Sequence, residues 1–264
     1  MQIFVINLEK DSARRDSISK QLKDLKLPFE FFPGVYGKTI PEAQLEACYC
    51  EDMAMRTQCR KLTASEIGCA LSHLGIYREI IRRQLPCAMV LEDDVAVPGL
   101  LRDVLDALEK AITAKEPSVI LLSPAEGGKA RRGLGVGNLQ ISVFTSGYYT
   151  HAYVVTQFGA RALLKALYPV KDVADCWKRL NRHRVVDISV VSPPFVLQNR
   201  AQFGSSTTED INAQLKGRGA ADIAVFKCRR AFWLAIDAAT AIYDRLVKPY
   251  AGVLKGVQEM NGHE

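Results

Sequence analysis

The sequence predicts an α/β protein in which helices cover both faces of a mostly parallel sheet. Short apolar runs of strand length alternate with segments of helical periodicity along most of the chain. The run CAMVL at 87–91 is apolar throughout, as is typical of a central strand that is buried on both faces. Hydrophobic residues make up 48% and charged residues 24%, which is a usual mixture for a globular domain.

Turn residues and caps bound the elements of the first half. Thr63 and Glu66 have capping-box spacing and mark the start of the longest early helix, which Pro86 stops. The predicted elements are a strand at 2–7, a helix over 11–26, a strand at 29–32, a weak helix and mobile loop over 41–60, a helix over 63–84 and a strand at 87–91.

In the second half the same alternation continues around one Gly-rich segment. Residues 124–138 combine glycines with basic residues and are predicted to be a flexible loop. The other predicted elements are a helix over 99–113, a strand at 118–122, strands near 139–145 and 151–156, a helix over 157–167, a helix from Asp172 to about Asn181 and a strand at 185–191.

The chain is predicted to divide into a main domain, 1–200, and a C-terminal helical extension, 201–264, packed on it. Residues 220–247 are strongly helical, with basic residues at Lys227, Arg229 and Arg230. A basic, aromatic helix can lie on anionic lipid, so contact with the inner membrane is one expectation. Packing of this helix on the domain is the alternative.

The cysteine pattern and the lack of a visible targeting signal predict a cytoplasmic protein. The seven cysteines include no C-x-x-C pair, and neither a signal peptide nor a long apolar span is visible. The net charge of +6 suits acidic partners such as nucleotide diphosphates or phosphorylated glycolipid. No nucleic-acid partner is expected, because no recognition motif accompanies the charge.

Three successive acids, Glu92, Asp93 and Asp94, directly follow the central apolar run. Ligands of open α/β sheets bind where strands end. Carboxylates crowded there repel one another unless a cation such as Mn²⁺ or Mg²⁺ compensates them. A solvated acidic turn is the simpler interpretation. A metal-dependent nucleotidyltransferase or phosphoesterase also fits, as does a sugar-binding module without activity.

Four ordered blocks resemble glycosyltransferase family 25, the lipooligosaccharide glycosyltransferases related to the galactosyltransferase domains that modify collagen. The blocks are IFVINLEKDSARRDSI, LTASEIGCALSHLGIY, VLEDDV and GYYTHAYVVTQFGARALL. The resemblance implies a GT-A type, Rossmann-like fold and metal-dependent, inverting transfer of galactose from UDP-galactose to a lipooligosaccharide or lipopolysaccharide core sugar. Transfer of another UDP-sugar is the alternative.

The resemblance also implies roles for individual residues. The metal ligands would be Asp94, Asp93 and His151. Asp175 and Asp187 are the candidate general bases, and the Gly-rich 127–137 loop, with Arg131 and Arg132, is a candidate lid. The donor-binding residues would be Asn7, Leu8, Arg14, Ser72, His73, Glu92 and Asp93.

Overall fold

The structure is a computed structural model that describes residues 1–203, 210–211 and 220–246. Its centre is an eight-stranded sheet in the order β2-β1-β3-β8-β5-β9-β7-β6, and a separate antiparallel pair joins β4 and β10. Strands β8 and β7 run against the other six, so the sheet is mostly parallel in direction. The predicted α/β sandwich with a mostly parallel sheet is therefore confirmed.

The bounds of the elements follow the chain order. The strands are β1 Gln2–Asn7, β2 Glu30–Pro33, β3 Cys87–Glu92, β4 Val95–Ala96, β5 Ser118–Leu121, β6 Ala125–Gly133, β7 Gln140–Gly147, β8 Ala152–Thr156, β9 Asp187–Ser192 and β10 Leu197–Gln198. The helices are α1 Ser12–Asp24, α2 Glu42–Cys48, α3 Glu51–Thr57, α4 Ala64–Arg82, α5 Leu101–Ala111, α6 Gln157–Leu167, α7 Trp177–Arg182, α8 Arg200–Phe203 and α9 Ala220–Leu246, with a 3₁₀ turn at Gly37–Thr39.

Two hydrophobic cores lie on opposite faces of the sheet. Alternate residues of β3 belong to different cores: Val90 packs with α4, α6 and α7, whereas Met89 and Leu91 pack with α1 and α5. Because all three side chains are fully buried, β3 is covered on both faces, as its apolar sequence predicts.

The helix that carries the most distinctive block begins as predicted. The Thr63 side chain accepts a hydrogen bond from the Glu66 amide, and the Glu66 carboxylate accepts one from the Thr63 amide at 2.8 Å. Arg60 also binds this carboxylate, through both guanidinium nitrogens. The capping box therefore fixes the amino terminus of α4, which lines the cleft described below.

Two local predictions were wrong, and a third, for residues 41–60, was right in its helical part only. The segment 124–138 is largely the edge strand β6, whose Gly-rich, charged sequence suits a sheet edge and lacks the apolar alternation of ordinary strands. Residues 41–60 form two short helices, α2 and α3. Asp172 does not start a helix, because α7 begins only at Trp177 and the Asp172 carboxylate binds Arg179.

The described part of the C-terminal extension includes the long helix α9. Asp237 of this helix accepts hydrogen bonds from Arg182 and, at 2.7 Å, contacts the His183 ring, so α9 is held to the end of α7. No described helix is long and apolar enough to cross a bilayer. The side chains of Lys227 and Arg229, on which the expected membrane contact depends, lie outside the described ones.

Candidate active site

A cleft of about 320 Å³ opens at the carboxyl ends of β1, β2 and β3. Strand β8 runs the other way, so the residues that precede it reach the same edge of the sheet. The amino-terminal half of α4 forms one wall of the cleft, and the segment 173–175 lines it as well. The cleft therefore lies where open α/β sheets bind their ligands.

The three acids that end β3 point to different partners. Asp93 accepts a hydrogen bond from the Asn7 side chain at 2.7 Å, and Arg14 lies 3.5 Å from Asp93 and 3.8 Å from Asp94. Glu92 turns instead toward His73 of α4, and its carboxylate accepts a hydrogen bond from Thr150, just before β8, at 2.7 Å. All three acids line the cleft, and Asp93 and Asp94 are buried.

The charges of these acids are not fully balanced. Burial, reinforced by the negative charge of Glu92, raises the pKa of Asp94 to about 7, and burial also raises the pKa of Asp93. Burial opposes the ionisation of Glu92 too, but contacts with His73 and Thr150 bring its pKa below the ordinary value. The cleft therefore favours an additional positive charge beside Asp94.

His73 connects Glu92 to the interior through a chain of buried hydroxyl groups. Its Nδ1 lies 2.8 Å from the Tyr153 hydroxyl, which donates to the Tyr77 hydroxyl at 3.1 Å. Its Nε2 lies 3.6 Å from a Glu92 oxygen, slightly too far for a hydrogen bond. The imidazole ring is thus fixed from behind, with one nitrogen facing the cleft.

Ser72, predicted to bind the donor, holds a loop of the cleft wall. Its hydroxyl accepts a hydrogen bond from the Val35 amide at 2.8 Å and donates to the Gly68 carbonyl. A Cβ at Gly68 would lie 2.5 Å from the Val35 carbonyl oxygen, and one at Gly37 only 1.7 Å from that of Ala64. Both glycines are needed because the loop after β2 touches the backbone of α4.

Asp175 lies on the segment that faces this wall. Its carboxylate accepts the Tyr149 amide hydrogen at 3.0 Å, and burial, followed by the charge of Glu92, raises its pKa. Tyr149 has a left-handed φ of +87°, and its carbonyl accepts a hydrogen bond from the Trp177 indole. A carboxylate held in this way can accept a proton inside the cleft.

The structure brings most of the predicted site residues together. Asn7 lies just beneath the cleft and binds Asp93. Those that line the cleft directly are Leu8, Arg14, Ser72, His73, Glu92, Asp93, Asp94 and Asp175.

Two predicted residues and the predicted lid lie elsewhere. Asp187 begins β9, which ends at the cleft edge, so its carboxylate is at the opposite edge and is paired with Arg131. His151 is buried below the cleft, where its Nε2 contacts the Val196 carbonyl at 3.0 Å. Residues 127–133 of the predicted lid belong to β6 at the far edge of the sheet, and neither Arg131 nor Arg132 lines the cleft.

Several cleft residues were not predicted from the sequence as part of the site. Cys69 lies one helical turn before His73, and this spacing could have identified it. Lys10 and Tyr36 also line the cleft, with the Lys10 ammonium 4.2 Å from the centre of the Tyr36 ring. Nothing in the sequence pairs these two, because they come together only through the parallel pairing of β1 and β2.

The Asp93 and Asp94 carboxylates fit a hard divalent cation. The buried Oδ1 atom of Asp94 has no hydrogen-bond partner among the described residues. Carboxylate oxygens are the ligands that Mn²⁺ and Mg²⁺ prefer. These two residues could therefore hold the metal ion that the sequence predicts.

Comparison with known proteins identifies relatives of the chain. Residues 1–126 match the model of glycosyltransferase family 25 (LPS biosynthesis protein). The chain is 31% identical over 178 residues to procollagen galactosyltransferase 1-A of Xenopus laevis, a match that covers 62% of this chain and 28% of that protein. It is 30% identical over 173 residues to human procollagen galactosyltransferase 2, covering 62% and 27%. The matched region is thus little more than a quarter of either relative.

Among solved structures, a glycosyltransferase involved in the glycosylation of the major capsid of PBCV-1 is similar with a TM-score of 0.37 and 10% identity. This match covers 80% of the present chain and 97% of the other.

Proposed function

The chain belongs to glycosyltransferase family 25, and from this premise we propose that it transfers galactose from UDP-galactose to a core sugar of lipooligosaccharide or lipopolysaccharide. The observation that carries the proposal is the pair of buried carboxylates, Asp93 and Asp94, beside Arg14 in the cleft. These three residues lie within the region that matches the family. The family's description supports the acceptor, and the names of the relatives support galactose as the donor sugar.

The donor would bind along the loops that follow β1 and β2. Arg14 offers a planar fork of donors that suits a diphosphate, and Lys10 adds a second positive charge. Leu8, Val35 and Tyr36 provide apolar surface beside these charges for the nucleoside. Asn7 would act indirectly, by holding the Asp93 carboxylate in place.

Asp93 and Asp94 would hold Mn²⁺ or Mg²⁺ together with the donor phosphates. When bound, such an ion neutralises the charge of the departing diphosphate. Glu92 would face the sugar end of the donor, since its carboxylate is turned toward α4 and away from Arg14. His73 would keep Glu92 in that orientation.

Asp175 would act as the general base of an inverting transfer. Its carboxylate would take the proton of the acceptor hydroxyl as that oxygen attacks the anomeric carbon. The raised pKa supports this role, because a base works best when its pKa approaches the working pH. The acceptor would then enter from the side of the cleft formed by Tyr149 and Asp175.

The enzyme would work in the cytoplasm, with peripheral contact to the inner membrane that carries its lipid-linked acceptor. The exposed side chains of Phe232, Leu234 and Ile242 on α9 support a membrane-facing helix. Substitution of Arg229 and Arg230 by Glu should release the protein from membranes in fractionation. Unchanged partition would rule out this contact.

The test is a donor and acceptor screen with the purified chain, with and without Mn²⁺, in which released UDP and glycosylated product are both measured. UDP-galactose and other UDP-sugars should be offered with truncated lipooligosaccharide or with a collagen peptide that contains hydroxylysine. We expect UDP release that requires UDP-galactose, oligosaccharide and Mn²⁺. Donor consumption without any acceptor would indicate a nucleotidyltransferase or phosphoesterase instead.

Matched variants make the screen specific for the site. Asp94→Asn should abolish Mn²⁺-dependent transfer, whereas Asp106→Asn, which changes an exposed acid on α5, should not. Full activity of the Asp94 variant would refute the metal assignment. Transfer only to the collagen peptide would retain the galactosyltransferase proposal and replace the acceptor.

A further inference from the structure

Cys69, His73 and Glu92 form a cluster of unlike metal-binding groups in the cleft. One ligand atom from each of the three residues lies within 4.8 Å of the other two. Cys69 and His73 are one turn apart on α4, and Glu92 is the last residue of β3. The arrangement combines sulfur, nitrogen and oxygen ligands, which differs from the oxygen ligands of Asp93 and Asp94.

The hydrogen-bond chain behind His73 determines which nitrogen can bind a ligand. The Tyr153 hydroxyl donates to Tyr77, so its oxygen is available to accept a hydrogen bond from His73 Nδ1. In neutral histidine this leaves a lone pair on Nε2. Nε2 is buried, has no hydrogen-bond partner among the described residues and faces an oxygen of Glu92 at 3.6 Å. Nε2 and the Glu92 carboxylate can therefore bind the same cation.

We propose that Cys69 Sγ, His73 Nε2 and the Glu92 carboxylate bind a thiophilic divalent cation, Zn²⁺, at a site separate from that of the catalytic ion. Zinc accepts sulfur, nitrogen and carboxylate ligands in tetrahedral geometry, and water can supply the fourth ligand. Thiolate and imidazole favour Zn²⁺ over Mg²⁺ or Mn²⁺. Binding displaces the thiol proton of Cys69 to solvent.

Tyr153 and Tyr77 support this site from behind His73 without binding the ion themselves. Metal-binding histidines usually donate their other ring hydrogen to a fixed acceptor, and the Tyr153 oxygen is such an acceptor. The Tyr77 and Tyr153 hydroxyls therefore hold the imidazole ready for the ion.

Zinc at this site would inhibit sugar transfer, and this consequence rests on the proposed function. Glu92 cannot serve both the ion and the donor, since the ion would occupy the carboxylate that would otherwise contact the sugar. Inhibition should be reversed by a chelator followed by Mn²⁺. The binding itself does not depend on the proposed function and can be measured without any sugar nucleotide.

The experiment uses the full chain, freed of metal, and two probes. Zn²⁺ is titrated in competition with a chromophoric chelator, and Co²⁺ is added separately to detect a thiolate-to-cobalt charge-transfer band. We expect one equivalent of tightly bound Zn²⁺ and a thiolate band that Zn²⁺ removes. Absence of that band in the unaltered protein would overturn the proposal without any variant.

Variants then assign the ligands. Cys69→Ser should abolish the band and weaken Zn²⁺ binding at least about tenfold, and His73→Gln should weaken it similarly. Cys228→Ser is the matched control, because this thiol is exposed on α9 and should contribute nothing. Zinc binding that survives Cys69→Ser, or is lost in Cys228→Ser, would refute the site. Zinc binding in a protein without transferase activity would refute only the proposed function.

Discussion

Asp94→Asn removes a carboxylate whose ionisation opposes folding of the metal-free chain. The pKa of Asp94 rises from 3.8 to about 7 on folding. Between these two values the folded state keeps a proton that the unfolded chain has released, so stability is lost as the pH increases. The loss is about 1.4 kcal/mol per pH unit, or about 3 kcal/mol between roughly pH 5 and pH 8. Above the folded-state pKa no further loss from this group occurs.

Urea unfolding of the chelator-treated protein at both pH values tests this reasoning. The unaltered protein should lose about 3 kcal/mol more than the Asp94→Asn variant between roughly pH 5 and pH 8. Asp106→Asn is the control and should follow the unaltered protein. Mn²⁺ should restore stability to the unaltered protein at the higher pH, because the ion binds the ionised carboxylate. Equal pH dependence in the Asp94 variant and the unaltered protein would contradict the argument.

Three further substitutions test the surroundings of the cleft. Asp175→Asn keeps an acceptor for the neighbouring amide but removes the base, so kcat should fall about 10²- to 10⁴-fold with Tm little changed; undiminished kcat would exclude the base assignment. Tyr153→Phe leaves His73 Nδ1 without its partner and should cost about 1–3 kcal/mol in urea unfolding, so unchanged stability would contradict the hydroxyl chain. Gly37→Ala places a Cβ 1.7 Å from the Ala64 carbonyl oxygen and should lower stability by about 1–3 kcal/mol or more; a thermal melt like that of the unaltered protein would disprove this contact.

The sequence predicts the central fold well where burial and capping act locally. The apolar run of β3 and the capping box of α4 were both found, because each depends on neighbouring residues alone. The position of the acids at the end of β3 followed from the same local pattern. That Asp93 meets Asn7 and Arg14 could be expected only from the resemblance, since the pairing of β1 with β3 is long-range.

The failures have a different physical origin. Strand β6 is stabilised by pairing with β7 and carries exposed glycines and arginines. Its sequence therefore lacks the alternation of apolar and polar residues that would identify a strand. Asp187 stands at the start of an apolar run, whereas the acids of the site stand at the end of one. Because β9 runs toward the cleft, its first residue lies at the opposite edge of the sheet. The sequence also gave no indication that Glu92 turns away from Asp94 toward His73.

The close backbone contact at Gly37 and Gly68 has a mechanical consequence. Because there is no room for even one extra carbon between them, the loop after β2 cannot come nearer to the first turns of α4. A larger residue at either position would push this cleft wall away from the helix that carries His73.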